Sequence, residues 1–82
     1  MRLCDVPVGA NAVIVELSFP DAAQQYLMRL GFVPGVEVEV IRRTPLKGPV
    51  VYRLQGTEIA IRYGTAAGIA VRRTLPEGAE LP

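Results

Sequence analysis

The chain has no histidine, no tryptophan, one serine and one cysteine, and its aromatic residues are three tyrosines and two phenylalanines. Each shortage removes a class of chemistry. Without histidine the commonest general base and metal ligand is missing. Ser18 therefore has no base to activate it and reads better as a helix cap, while Cys4 has no partner to make it a nucleophile. A single cysteine cannot form an intrachain disulfide, and nothing else suggests an oxidising compartment. Cys4-Asp5 offers two donors where a tetrahedral metal wants four, so no metal or cofactor site is expected, and Cys4 is expected near the core. Gly31-x-x-x-Gly35 lacks the lysine and hydroxyl of a phosphate-binding loop. The carboxylates are scattered, so no catalytic residues are expected and the chain does not read as an enzyme.

Long apolar runs are also missing. None approaches the roughly 20 residues of a membrane span, and the N-terminus lacks the apolar core of a signal peptide. A cytoplasmic location without membrane insertion is the expectation. Nine Lys/Arg against eight Asp/Glu leave a net charge of +1, too little to steer nucleic acid strongly.

What remains is a small aliphatic domain. Half of the 82 residues are hydrophobic, so Val, Ile, Leu and Ala must form the core. Residues 1–75 are expected to form one domain, with 76–82 as a loose tail. Between Leu27 and Val40 a helical pattern stops at Gly31, Pro34-Gly35 turns, and valines at 36, 38 and 40 alternate with glutamates. A change of period from 3.6 to 2 marks a helix end followed by a half-buried strand. Around it, 12–17, 36–43, 50–55, 58–63 and 69–73 read as short strands, and a single helical turn fits 63–68. A helix of about three turns follows Pro20, with Ser18 or Asp21 as its cap and Ala23, Tyr26, Leu27 and Leu30 as its apolar stripe. In the first strand Val13, Val15 and Leu17 share one face and Ala12, Ile14 and Glu16 the other; Ile14 hints at cover on both sides. The fold class is mainly β: five strands with one helix inserted between the first and second, suited to a small barrel.

Binding is the better prospect. Arg43, Arg53 and Arg62 are placed to pair with Glu37, Glu39 and Glu58 across an exterior sheet face, a solvated surface that guards against aggregation. The sharper alternative is a basic rim of Arg42, Arg43, Lys47, Arg72 and Arg73 near strand ends, docking an acidic protein. Leu46, between two prolines in the 44–49 loop, either meets a partner or folds back over the barrel end. Nucleic acid fits poorly, because single-strand binders expose stacking aromatics and Tyr26, Tyr52 and Tyr63 all fall on inward faces.

Leu30-Gly31-Phe32-x-Pro34-Gly35-x-x-Val38-x-Val40, Arg43-x-Pro45-Leu46, Gly48-Pro49-Val50, Arg53-x-x-Gly56 and Ile59-Ala60-Ile61-Arg62 together resemble the FeoA family. The lead-in Leu3-x-x-Val6-x-Val8-Gly9 and the close Ala66-x-x-Ile69-x-Val71 match as well. The resemblance implies an SH3-like barrel and a non-enzymatic cytosolic role in ferrous iron uptake. The implied partner is the cytoplasmic part of the FeoB transporter; homo-oligomerisation is left open. It also implies an alternative, a metal-responsive domain like that at the C-terminal end of iron- and manganese-dependent repressors. Lys47 departs from the family, which more often has glycine there.

Overall fold

The structure, a computed structural model, describes residues 1–74. After a 3-10 turn at Leu3–Asp5 come β1 (Asn11–Leu17), α1 (Asp21–Leu30), β2 (Glu37–Arg43), β3 (Val50–Leu54), β4 (Thr57–Ile61), α2 (Tyr63–Ala66) and β5 (Ile69–Arg73). The five strands form one sheet in the order β4-β3-β2-β1-β5, with every pairing antiparallel. One helix of ten residues sits between β1 and β2, as the periodicity predicts. The expected tail, 76–82, lies outside the described residues.

The period change around Gly31 does what its residues require. Gly31 ends α1 with φ 112°, and its N–H and that of Phe32 close onto Met28 and Leu27 carbonyls. Any side chain there would be strained by the backbone and would also meet Leu54 Cδ1 at 2.9 Å. Phe32 then turns into the core, fully buried, edge-on to Tyr52 with ring centroids 6.4 Å apart. Val38, Val40, Val50, Tyr52, Leu54, Ile61, Ile69 and Val71 complete the alternating interior, joined by Leu3, Cys4 and Val6 from the N-terminal segment. Burial of Cys4 agrees with its expected place as a small core residue.

Three local expectations need correcting. In β1 the buried residues are Ala12, Ile14 and Leu17, while Val15 is 50% exposed. A shift in the β1–β5 register between Ile14 and Glu16 inserts an extra residue, so the inward parity changes within the strand. Ile14 is thus a core residue and not a sign of a second covered face. At α1, neither Ser18 nor Asp21 caps with its side chain: Pro20 occupies the cap position, and the Ser18 N–H donates to Gly68 O at 2.9 Å. Helix α1 buries only Leu27, with Phe19 and Leu30 partly packed beside it. Tyr26, expected inside, is 60% exposed.

The two sheet edges differ. The outer side of β5 is covered by the N-terminus: Arg2 bridges Ala70, and the Val71 N–H donates to Met1 O at 2.8 Å. Among the described residues nothing pairs with the outer side of β4.

Candidate partner-docking site

The β2–β3 connection is held from within. The Thr44 hydroxyl donates to Pro49 O at 2.7 Å, the Thr44 N–H donates to the same oxygen, and the Gly48 N–H closes onto Pro45 O at 3.1 Å. Inside that turn Leu46 and Lys47 have φ of 59° and 56°. Two consecutive non-glycine residues in the left-handed region cost about 1–2 kcal/mol each. Leu46 gains no burial in return, being 99% exposed, so it does not fold back over the barrel. Lys47 lies with its Nζ 5.7 Å from the Tyr63 ring centroid, tying the loop to α2.

The basic residues expected to form one rim divide into two groups. Arg42 and Arg43 pair with Val51 and Val50 at the loop end of β2. Arg72 and Arg73 pair with Val13 and Ala12, which in turn face Glu37 and Val38 at the opposite end of β2. Five residue steps of strand separate Val38 from Arg43, roughly 16 Å. Arg43 is also committed internally: its guanidinium donates to Cys4 O at 2.8 Å and to Val6 O, closing the 3-10 turn against β2. Arg42, Leu46 and Lys47 are therefore the part of the predicted set that the fold presents together to solvent. On the exterior face the expected cross-strand pairing is formed by Arg53 alone: Arg43 turns to the N-terminal segment, and Arg62 has no ion-pair partner among the described residues. Arg53 bridges Glu39 at 3.2 Å and Glu58 at 2.9 Å, and the Glu58 hydrogen bond holds its guanidinium above the usual range. Glu37 instead accepts from the Thr74 hydroxyl.

Below the loop lies a small polar cluster. Burial pushes the Asp5 carboxyl up, but the hydrogen bond and charge of Arg2 outweigh it and hold the group below its usual range. The Tyr63 phenol is raised, first by the neighbouring Cys4 thiol. Tyr52 is fully buried, its hydroxyl has no hydrogen-bond partner among the described residues, and burial pushes its phenol up to about 12. Among the described residues no three Cys, Asp or Glu side chains gather where they could hold a metal ion. No described helix is long and apolar enough to cross a membrane.

One surface was not anticipated. Between α1 and β4 runs a groove of about 450 Å³, lined among others by Phe19, Ala23, Tyr26, Leu30 and Ile59. Its signal in the sequence is the apolar stripe of α1, which is longer than the single buried residue it supplies to the core.

The comparisons agree on one family. A family profile described as the FeoA domain matches residues 1–73. A fusion of Fe(2+) transport protein A with the Fe(2+) transporter FeoB from Porphyromonas gingivalis is 34% identical over 71 residues, covering 87% of this chain but only 8% of that protein. The solution structure of FeoA from Chlorobium tepidum superposes with a TM-score of 0.85 at 29% identity, over 100% of this chain and 81% of that one. The zinc-complexed FeoA of Stenotrophomonas maltophilia, described as a prokaryotic SH3 domain protein, superposes with a TM-score of 0.72 at 31% identity, over 87% and 88% of the two chains. The five-stranded antiparallel sheet is thus an SH3-like one, and the chain belongs to the FeoA domain family.

Proposed function

We propose that this chain is a non-enzymatic, cytosolic accessory protein of ferrous iron uptake that docks on the cytoplasmic part of a FeoB-type transporter through the Thr44–Pro49 turn. The observation that carries this reading is Leu46, an apolar side chain 99% exposed on a strained turn. Strain that packing does not repay is expected where function requires the conformation. Leu46 serves as the apolar anchor, and Arg42 and Lys47 beside it favour an acidic surface around the receiving pocket. The P. gingivalis relative, in which both proteins are one chain, supports the choice of partner. Covalent linkage gives two modules a high effective concentration, so a contact centred on one short turn is adequate there. In the separate form the same contact is weak and reversible, as suits a modulator.

Co-purification tests the proposal. Immobilised transporter cytoplasmic region is expected to retain the wild-type chain and to lose it on Leu46→Glu. Failure of the wild type to bind removes the docking reading, and equal retention of Leu46→Glu removes the turn from it.

A further inference from the structure

We propose that β4 is a self-pairing edge through which two copies of this chain form a closed, two-fold dimer, with Glu58 of each copy opposite Arg62 of the other. This does not depend on the transporter reading.

The backbone fixes which groups are free. β3 and β4 are joined by the two-residue turn Gln55-Gly56, with φ of 51° and 80°, a geometry that closes on a doubly hydrogen-bonded pair. That pair is Leu54–Thr57, so Thr57, Ile59 and Ile61 direct their N–H and C=O groups toward β3. Glu58 and Ala60 direct theirs outward, whereas Arg62 follows β4 as the cap of α2 and its carbonyl already accepts from the Ala66 N–H at 3.1 Å. The β3–β4 register has no bulge, and no proline interrupts β4, so this edge lacks two of the usual devices that block pairing.

The side chains select the partner. On the exterior face the row Glu39, Arg53, Glu58 alternates in sign and ends on an acid at the open edge. Arg62, exposed and extended at φ −64° and ψ 146°, has no ion-pair partner among the described residues. Antiparallel pairing of two β4 strands about Ala60 sets residue 58 opposite 62, continuing the row with a base on both sides of the dyad. It also places the outward-facing backbone groups of Ala60 opposite those of its copy, a doubly hydrogen-bonded pair at the dyad, while the 58–62 position is matched by side-chain charge. Registers shifted by two in either direction pair the same backbone groups but leave Glu58 and Arg62 unmatched. The exposed Ala60 at the dyad leaves room for close approach.

The apolar surface agrees with this occupant. Ile59 and Ile61 lie on the inner face of β4, and the α1–β4 groove opens beside them. In a continuous sheet the inner faces of both copies lie on one side, so the two grooves meet and Tyr26, 60% exposed alone, gains apolar neighbours. The assembly stops at two copies, because the N-terminal residues cover the other edge, β5.

Sedimentation analysis of the full chain up to roughly millimolar concentration reads the equilibrium directly. The wild type is expected to dimerise. Arg62→Glu and Glu58→Arg alone each set like charges opposite one another twice and weaken dimerisation by about tenfold or more. Mixed in equal amounts, the two variants restore opposite charges at both positions and re-form a dimer. Both substitutions are on exposed side chains, and circular dichroism checks that each variant is folded. A wild type that stays monomeric, variants that dimerise like wild type, or a mixture that stays monomeric overturns the proposal.

Discussion

At the scale of single residues, two side chains show how identity and environment part company. Tyr52 supplies a large core ring, but its hydroxyl is buried without a partner among the described residues. An unsatisfied buried hydroxyl costs about 1–3 kcal/mol, so Tyr52→Phe is expected to raise stability to chemical denaturation by about 1 kcal/mol. The pH dependence follows the same cause. The folded phenol sits near 12 against an ordinary 10, so its contribution is complete below pH 10 and is lost as pH rises toward 12. Denaturation profiles over that window are expected to fall less steeply in Tyr52→Phe than in wild type. Arg43 shows the converse. It resembles a free surface cation in the sequence, yet it holds two carbonyls of the N-terminal segment. Arg43→Ala is expected to cost about 1.5–3 kcal/mol in urea denaturation, through lost charged hydrogen bonds. Reduced partner binding by that variant therefore reports folding and not contact.

At the scale of elements, the Thr44–Pro49 turn carries backbone strain at two consecutive residues. Leu46 occupies left-handed space that asparagine tolerates better, and it has no packing to lose. Leu46→Asn is expected to raise the unfolding free energy by about 0.5–1 kcal/mol while abolishing transporter retention, so stability and binding move in opposite directions. Glycine would suit the neighbouring position as well, since Lys47 also has positive φ. Most elements were legible because local rules agreed with packing: Gly31 had to end α1, and alternating valines had to face inward along β2. The faces of β1 were not legible, because a bulge reverses parity without leaving a mark in composition. The exposure of Tyr26 was not legible either, because periodicity gives the side of a helix but not how much of that side the sheet covers.

At the scale of the molecule, the sheet order decides what the candidate site is. A row of arginines in sequence is not a patch in space: antiparallel register sends Arg72 and Arg73 to one end of β2 and leaves Arg42, Leu46 and Lys47 at the other. Strand pairing is long-range information, and no local spacing carries it. Two separate faces are thus proposed on a chain of 82 residues, the turn for the transporter and the β4 edge for a second copy. The most direct test is an NMR titration of the labelled chain with the cytoplasmic region of a FeoB-type transporter, reading amide shifts residue by residue. Shifts centred on Thr44–Pro49 and Arg42, with Arg72 and Arg73 unmoved, are the predicted result. Shifts confined to the β5 end or to α1, with the turn silent, would contradict it.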